Sequence, residues 1–498
     1  MKTQAFDVVI RGGVVIDGSN CPRYRADVGI RGTMIAAMGD LSSATAHRVI
    51  DANGKIVAPG FIDAHSHDDQ ALLLQPQMEC KLSQGVTAVV TGNCGISAAP
   101  LYPDSPMPAP LNLLSDAAMR FTTFQAYVQT LRTSPPAVHV IPLVGHTNLR
   151  VLAMADLNRA AAAEEIVQMR ALLREALVAG AVGLSSGTYY PPAAAATMQE
   201  VCDVAQPLAE FGALYVSHMR DEAVHSQQSI DETLQIGQHA QAAVVISHHK
   251  LQGQANWGNS AQTLPQIEAA MHCQCVALDC YPYHASSTML HMQEERLSGK
   301  IVIADSGPHP ELKGKELGDI ARDWQVSRAE ASNRLQPASA IYFNMDEGDV
   351  QRILQFAPTM IGSDGVPSNE RPHPRLWGTF PRVLGHYSRD LGLFPLETAV
   401  WKMTGLTAQV FGIEKRGVLV EGHYADLCVF DPQAVRDTAT YDDPKQPAVG
   451  IDCVIVNGAI AYEQGAYQGS RTGTVLRRTL PAKTSPGLQI LAEPGRRL

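Results

Sequence analysis

Two histidines separated by a single residue, His65 and His67, follow a short apolar run and could bind a metal ion. The run, residues 56–62, is too short for a buried helix and includes Pro59 and Gly60, so we interpret it as a buried strand. Side chains i and i+2 of a strand lie on one face, so both imidazoles can point to one site. Imidazole is the commonest metal ligand, and two solvated loop histidines are the alternative.

Polar residues follow each of eight apolar runs. The runs are residues 56–62, 86–90, 138–144, 181–184, 213–216, 243–246, 275–278 and 359–361. The residues that follow them are, in order, His65-Ser66-His67, Asn93-Cys94-Gly95, Gly145-His146, Ser185-Ser186-Gly187, Ser217-His218-Met219-Arg220, Ser247-His248-His249-Lys250, Asp279-Cys280-Tyr281 and Ser363-Asp364-Gly365. A polar ending on every run is more than solubility requires. The pattern therefore favours the ligand interpretation of His65 and His67.

Helical patterns separate several of these runs. The clearest, residues 161–179, has Met169, Leu173 and Leu177 at helical spacing and is followed by Gly180, a typical C-terminal cap. Strands that alternate with helices predict an α/β fold, a TIM-like (β/α)8 barrel whose strand ends share one rim. An open doubly wound sheet is the alternative, although no Gly-x-Gly-x-x-Gly follows the early strands.

Six residues of this rim could ligate a metal: His65, His67, Cys94, His218, His248 and Asp364. Nitrogen donors with one thiolate suit zinc better than magnesium or calcium, which prefer oxygen. Catalytic zinc keeps one position for water and lowers the pKa of that water towards roughly 7. Asp364 is our predicted proton shuttle, from the water to a leaving amine. A turn residue within Ser363-Asp364-Gly365 is the alternative.

The composition is that of a globular protein with no nucleic-acid footprint. The 498 residues carry a net charge of −10, with acidic and basic residues interspersed, whereas nucleic-acid binding needs a basic patch. Nine scattered cysteines argue against a disulfide framework. No run reaches membrane-spanning length, and the N-terminus lacks the apolar segment of a signal peptide. We expect a soluble cytoplasmic protein that acts on a small molecule, with neither nucleic-acid nor membrane partners.

Short β-type runs at both ends of the chain differ from the middle. They are residues 7–16, 27–38, 48–51, 417–422, 425–430 and 453–458. We predict a small discontinuous β-sandwich domain, residues 1–55 and 415–480, with the barrel at 56–414. The stretch at about 285–345 is too long for a bare connection and is predicted to be an insertion with helices at 311–324 and 327–334. Residues 481–498 are predicted to be a tail.

Several motifs in this chain resemble those of the amidohydrolase superfamily, and within it those of the D-aminoacylase (N-acyl-D-amino-acid deacylase) family. They include His65-Ser66-His67, Gly92-Asn93-Cys94-Gly95, Ser217-His218-Met219-Arg220, Ser247-His248-His249-Lys250, Gly362-Ser363-Asp364-Gly365 and the stretch 373–387. The resemblance extends from residue 7 to about 476, nearly the whole chain.

The resemblance implies one tightly bound zinc, held by Cys94, His218 and His248. A second, weaker site would use His65, His67 and Asp364, with Cys94 shared. Many relatives outside this family bridge two metals with a modified lysine after the fourth strand. Here that strand is followed by Ser185-Ser186-Gly187, which fits the branch bridged by cysteine.

The resemblance also implies zinc-dependent hydrolysis of N-acyl-D-amino acids to a carboxylate and a free D-amino acid. Tyr190, Tyr281, Ser287 and Arg375 would surround the substrate. An arginine can hold a carboxylate through two parallel hydrogen bonds, and a clamp on its own loop is the alternative for Arg375. The Lys250 ammonium either binds a charged group of the substrate or is a solvated charge without a role in binding.

Two other functions stay open at this stage. A cyclic-amide hydrolase of dihydropyrimidinase type is disfavoured by Cys94 and by the missing lysine. A non-catalytic scaffold would have lost metal ligands, yet all six candidates are present.

Overall fold

A computed structural model describes residues 5–104, 107–114, 116–367 and 370–479. The predicted tail, 481–498, lies outside these residues. The strands are β1 Phe6–Arg11, β2 Val14–Val15, β3 Tyr24–Arg25, β4 Asp27–Arg31, β5 Met34–Gly39, β6 Ala46–Asp51, β7 Ile56–Pro59, β8 Phe61–Asp63, β9 Val86–Thr91, β10 His139–Pro142, β11 Val144–Gly145, β12 Gly183–Gly187, β13 Leu214–His218, β14 Ala243–Ile246, β15 Val276–Cys280, β16 Ser286–Met289, β17 Lys300–Ser306, β18 Ala338–Phe343, β19 Thr359–Ile361, β20 Leu427–Phe430, β21 Ile451–Val456, β22 Ala459–Glu463 and β23 Ala466–Tyr467.

Helices lie between most of the strands of the middle region, so the fold is mixed α/β. The α-helices are α1 Ala71–Leu74, α2 Glu79–Leu82, α3 Phe124–Thr133, α4 His146–Ala153, α5 Ala163–Ala179, α6 Pro191–Ala194, α7 Met198–Ala205, α8 Leu208–Phe211, α9 Ser226–His239, α10 Ser260–Met271, α11 Leu317–Asp323, α12 Arg328–Leu335, α13 Glu347–Gln355, α14 Arg375–Arg382, α15 Leu396–Met403 and α16 Gly405–Phe411. Among the described helices, none is both long and apolar enough to cross a membrane.

Parallel pairing connects the strands of the middle region. One sheet has the order β10-β9-β8 and another has the order β11-β12-β13-β14-β15-β19. Leu143 alone separates β10 from β11. At the other side, the Ala64 N–H donates to the Ile361 carbonyl at 3.1 Å and the Asp364 N–H donates to the His65 carbonyl at 2.8 Å. These bonds bring the chain after β8 beside the chain after β19.

Helix α5 illustrates how the sequence determines these elements. Met169, Leu173 and Leu177 lie on its buried face, as the periodicity predicts. Glu165 accepts a hydrogen bond from the Ala162 N–H at 2.7 Å, which caps the first turn. Gly180 ends the helix with a φ of 121°, a conformation that favours glycine.

The apolar run 56–62 is two strands, so our prediction of one continuous strand is wrong. β7 pairs with β2 and β20, whereas β8 pairs with β9. The chain changes sheet at Gly60, where an added Cβ would lie 2.2 Å from a side-chain carbon of Thr87. Glycine therefore allows the close approach that the change of sheet needs.

The two ends of the chain share one sheet, of order β23-β22-β21-β20-β7-β2-β3. A second sheet has the order β5-β4-β1-β6, in which β1 and β6 are parallel. The predicted β-run 417–422 contains no strand, which corrects our expectation. Gly417 and Gly422 both have positive φ, so turns interrupt this stretch and its backbone makes only isolated bonds, such as Leu419 N–H to Asp17 O at 2.9 Å.

The stretch at 285–345 contains an antiparallel sheet, of order β16-β18-β17, together with α11 and α12. Helix α12 lies within one residue of the predicted helix 327–334, whereas α11 begins at Leu317, six residues after the predicted start of the helix 311–324. The sheet was not predicted from the sequence. A separate apolar cluster packs within this stretch, and its members include Leu290, Ile301, Leu317 and Tyr342. The stretch therefore has a core of its own beside the parallel strands.

Candidate metal centre

Cys94, His218 and His248 form a compact buried group of metal-ligand side chains. Cys94 follows β9, His218 ends β13 and His248 follows β14. Cys94 Sγ lies 3.3 Å from His248 Nε2, which lies 3.0 Å from His218 Nδ1. The ligand atoms of the group all lie within 4.8 Å of one another, close enough to hold one ion.

A second group consists of His65, His67, Cys94 and Asp364. Cys94 Sγ lies 3.3 Å from His65 Nε2. Asp364 Oδ1 lies 3.2 Å from His67 Nε2 and 3.6 Å from His65 Nε2. Cys94 belongs to both groups, so the structure brings together all six residues that the sequence singled out as ligands. His249 is not among them, and its Nε2 instead lies 2.9 Å from Thr263 Oγ1.

Three of these residues have left-handed backbone conformations. The φ angles are 56° at Cys94, 35° at His248 and 48° at Asp364. This conformation costs roughly 1–2 kcal/mol for a residue other than glycine and is concentrated at functional sites. The His248 N–H donates to Asp279 Oδ1 at 2.9 Å, and the Asp364 N–H donates to the His65 carbonyl. These bonds hold the turns that direct the side chains into the site.

The donor set and its spacing fit zinc. Thiolate and imidazole ligands lie about 2.0–2.3 Å from a tetrahedral zinc ion, which separates ligand atoms by roughly 3.3–3.7 Å. The separations of 3.0 and 3.3 Å around His248 Nε2 are close to that range. Burial alone would raise the pKa of Cys94, but the imidazoles of His65, His248 and His218 hold it well below its ordinary value. The thiolate, which is the form that binds metal, is therefore favoured.

Arg375 forms an ion pair with Asp364, a contact that the sequence did not predict. Arg375 Nη2 lies 2.8 Å from Asp364 Oδ2, and the arginine side chain is 1% exposed. Burial would raise the pKa of Asp364, but the Arg375 guanidinium and the neighbouring imidazoles hold it well below its ordinary value. Asp364 is therefore a carboxylate at neutral pH and able to accept a proton.

Two further carboxylates contact the metal residues and had no role in the sequence analysis. Asp279 Oδ2 lies 3.4 Å from His65 Nδ1, while its Oδ1 accepts the His248 N–H, so it contacts a residue of each group. Glu222 is fully buried, four residues after His218. The only sequence signals were the place of Asp279 at a strand end and the i, i+4 spacing of Glu222 from His218.

Two of the predicted substrate residues are aromatic and lie beside the metal groups. The Tyr190 ring lies 4.8 Å from the His218 ring, between centroids. The Tyr190 hydroxyl lies 3.3 Å from Thr288 Oγ1. The Arg375 guanidinium lies over the Tyr281 ring, 4.5 Å from its centroid. Both tyrosines are therefore within reach of a molecule bound at the metal groups.

The other predicted substrate residues differ in how far they are already paired. Arg375 donates to the Ser287 carbonyl at 3.2 Å. Arg375 Nε, Arg375 Nη1 and Ser287 Oγ are buried and have no hydrogen-bond partner among the described residues. Lys250 Nζ, in contrast, donates to Glu222 Oε1 at 2.7 Å and lies 2.7 Å from His248 Nδ1. Arg375 and Ser287 thus retain donors for a ligand, whereas Lys250 is already paired.

A cavity of about 330 Å³ adjoins the metal residues. Its lining includes Tyr189, Glu222, Thr288, His291 and Arg296. The Tyr189 ring lies 4.9 Å from the His218 ring, between centroids, so the cavity lies next to His218. Thr288, His291 and Arg296 belong to the stretch at 285–345, which therefore forms part of the cavity wall.

Comparison with known proteins identifies the family of this chain. The amidohydrolase family model matches residues 48–281 and 329–462. A D-aminoacylase from Alcaligenes xylosoxydans xylosoxydans is 56% identical over 478 residues, which cover 96% of this chain and 99% of that protein. A crystal structure of D-aminoacylase, described as defining a novel subset of amidohydrolases, has a TM-score of 0.93 and 55% identity, and covers 95% of this chain and 100% of that one.

A second similar structure contains zinc and an inhibitor. It is an N-acyl-D-glutamate deacylase from Bordetella bronchiseptica, complexed with zinc and a phosphonate inhibitor that mimics the tetrahedral intermediate. Its TM-score is 0.92 at 47% identity, and the match covers 95% of this chain and 100% of that one. A similarity of this extent includes the strands that carry the metal residues. The chain therefore belongs to the amidohydrolase family, and within it to the D-aminoacylase family of N-acyl-D-amino-acid deacylases.

Proposed function

We propose that this chain hydrolyses the amide bond of N-acyl-D-amino acids, releasing a carboxylate and a free D-amino acid. The observation that carries the proposal is the convergence of Cys94, His218 and His248 with the ion-paired carboxylate of Asp364. D-amino acids are the class named for the similar D-aminoacylase and N-acyl-D-glutamate deacylase. The cavity of about 330 Å³ described above offers space for a small molecule next to the centre.

Zinc is the metal that we assign to the centre. Cys94, His218 and His248 would hold one ion tightly, and His65, His67 and Asp364 would form a weaker second site that shares Cys94. When bound, zinc supplies Lewis acidity towards the amide carbonyl and lowers the pKa of water. Cys94 supplies negative charge to the centre in the form of its thiolate.

Asp364 is the proposed proton shuttle. Its Oδ1 faces His67 and His65, whereas Arg375 holds its Oδ2. A carboxylate fixed in this way can take a proton from the attacking water and deliver it to the leaving amine nitrogen. Arg375 prevents Asp364 from turning away and keeps it ionised before the reaction begins.

The substrate is proposed to lie against Tyr190, Tyr281, Ser287 and Arg375. Arg375 Nε and Nη1 are buried donors without partners among the described residues, whereas Nη2 is held by Asp364 and the Ser287 carbonyl. The guanidinium therefore keeps N–H groups that can donate charge-assisted hydrogen bonds to the α-carboxylate of an N-acyl amino acid. Ser287 Oγ offers one further hydrogen bond. Lys250 would join them only by exchanging its contact with Glu222 for one with the substrate.

Replacing Arg375 tests this carboxylate contact. Arg375→Ala is expected to weaken kcat/KM for N-acetyl-D-amino acids by about 2–5 kcal/mol, the range for an unpaired buried charge. Arg375→Lys should recover only part of that loss, because a single ammonium group cannot reproduce the fixed N–H directions of the guanidinium. The measurement compares each variant on an N-acetyl-D-amino acid and on the matching amide without a carboxylate.

Arg375 also pairs with Asp364, so part of the loss should affect both substrates. The carboxylate contact is measured by the additional loss on the N-acetyl-D-amino acid. Equal losses on both substrates would limit Arg375 to holding Asp364 and its loop.

The two alternative functions lack a supporting observation. A dihydropyrimidinase-type centre would use a lysine after the fourth strand, but the chain after β12 starts with Thr188 and that strand ends with Ser185-Ser186-Gly187. A scaffold that had lost its site would lack ligands, whereas the six candidates lie in two groups around Cys94.

We infer in addition that the eight parallel strands close into one (β/α)8 barrel, in residues 56–414, with an insertion at about 285–345. The bonds between the chain after β8 and the chain after β19 support this closure. We assign residues 1–55 and 415–480 to a small β-sandwich domain, and the sheet shared by both ends supports that division.

The proposed location is the cytoplasm. The nine free cysteines support it, because the cytoplasm is a reducing compartment in which thiols stay reduced.

The function is tested with matched N-acetyl-D- and N-acetyl-L-amino acids, in an apolar pair and an acidic pair. The expected result is release of free amino acid from at least one D member, with its L partner slower by roughly 100-fold or more, the scale of a buried polar group left unpaired. Equal rates on D and L members, or no release from either, would contradict the proposed function.

A further inference from the structure

Glu222 is a buried carboxylate that faces the outer nitrogens of two metal residues. Its Oε1 lies 3.1 Å from His248 Nδ1, and its Oε2 lies 3.7 Å from His218 Nε2. The opposite nitrogens, His248 Nε2 and His218 Nδ1, lie 3.0 Å apart on the metal side. One carboxylate therefore faces the outer nitrogens of both imidazoles in the group formed by Cys94, His218 and His248.

The two imidazoles need opposite tautomers to bind one metal. With the nitrogens that face Cys94 and each other as ligands, His248 would bind through Nε2 and His218 through Nδ1. A neutral imidazole that binds through one nitrogen carries its hydrogen on the other, and a hydrogen-bond acceptor there fixes the tautomer and the ring orientation. A single acceptor group that faces both His248 Nδ1 and His218 Nε2 can select both tautomers at once.

No other described residue takes this place behind His218. His218 Nε2 is buried and makes no hydrogen bond within the described part of the chain. Glu222 Oε2 is the carboxylate oxygen that faces it, from 3.7 Å, which is longer than a hydrogen bond. Lys250 Nζ lies 2.7 Å from His248 Nδ1, but Glu222 Oε1 and the His248 carbonyl, at 2.7 and 3.0 Å, are acceptors for its hydrogens. Gln252 Nε2 donates to Glu222 Oε2 at 2.8 Å, and Lys250 Nζ donates to Glu222 Oε1. These two donors fix the carboxylate in position and balance its charge.

We propose that Glu222 is a positioning residue that sets the tautomers and ring orientations of His218 and His248 for tight zinc binding. The proposal rests on the zinc site of the proposed function. Its test measures zinc affinity, however, so it can succeed or fail whether or not the chain hydrolyses N-acyl-D-amino acids.

Glu222→Gln keeps the size of the side chain but leaves one acceptor oxygen for two imidazoles. The zinc dissociation constant, measured by competition with a chelator, should rise by about 10- to 100-fold, as for other residues that orient metal ligands. The visible spectrum of the cobalt-substituted protein should change, because the ligand field depends on ring orientation. Asp221→Asn is the matched control, since Asp221 Oδ1 accepts from the Ala223 N–H instead. Its zinc affinity and cobalt spectrum should match those of the unmodified chain.

The loss of a charge could act through Lys250 rather than through the histidines, because Lys250 would lose its carboxylate partner. The double variant Glu222→Gln with Lys250→Met removes both charges and separates the two effects. A dissociation constant still raised at least 10-fold in the double variant supports the proposal. A zinc dissociation constant of the double variant within about two-fold of the unmodified value would overturn the proposal. The loss of affinity in Glu222→Gln would then come from the unpaired Lys250.

Discussion

Cys94→Ala and His218→Ala are each expected to remove the tightly bound zinc. Three residues hold this ion in our account, and a site with two ligands left cannot keep a catalytic geometry. Cys94 also belongs to both ligand groups, so its loss should empty the weaker site as well. Activity on an N-acetyl-D-amino acid should fall by roughly 1,000-fold or more, since the Lewis acid contributes several kcal/mol.

Elemental analysis of the purified variants measures the first part of this result directly. Cys280→Ala is the matched control, because Cys280 is also a buried cysteine at the end of a parallel strand, but its Sγ faces the Tyr281 carbonyl at 3.3 Å. That variant should keep its zinc. Unchanged zinc in both Cys94→Ala and His218→Ala would refute the ligand assignment.

Asp364→Asn is expected to keep the fold and the tight zinc while activity falls by roughly 100-fold or more. Loss of a general base costs about this much, and asparagine cannot accept the proton. The tight zinc should stay, because Cys94, His218 and His248 do not depend on Asp364. Steady-state rates, zinc content and the circular dichroism spectrum of the variant together test the prediction.

Asp437→Asn provides the carboxylate control. Asp437 pairs with Arg382 at 3.3 Å and belongs to neither ligand group among the described residues, so its activity should be near that of the unmodified chain. Activity of Asp364→Asn within a few-fold of that level would assign the proton transfer to another residue. Unfolding of the variant would instead support a structural role in the turn.

The clustering of the six candidate ligands could be predicted from sequence because local rules govern their positions. His65 and His67 lie two residues apart beyond an apolar run, and His218 and His248 follow such runs directly. In a parallel sheet, side chains at strand ends meet at one edge, so the order of the runs already implies a shared site. The family resemblance then supplied the division into a tight and a weaker group.

The contacts that tune the site could not be predicted in this way. The pairing of Arg375 with Asp364 depends on how the loop before α14 folds back. The contact of Asp279 with His65 joins segments that are distant in sequence, and the contact of Glu222 with His248 depends on how the loop after β13 folds back. The change of sheet at Gly60 likewise depends on contacts with distant segments, because β7 pairs with β20, near the other end of the chain. The spacing of apolar residues indicates which side chains are buried, but it does not indicate which strand pairs with which.

The most direct test of the central claim measures hydrolysis of one matched pair of N-acetyl-D- and N-acetyl-L-amino acids by protein of known zinc content. The chain is first stripped with a chelator and then refilled in steps, and free amino acid is measured at each step. Our account predicts almost no release without zinc and D-selective release that rises in proportion to the zinc bound, up to one ion per chain. Full D-selective activity in the stripped protein, or refilled protein that does not distinguish D from L, would contradict it.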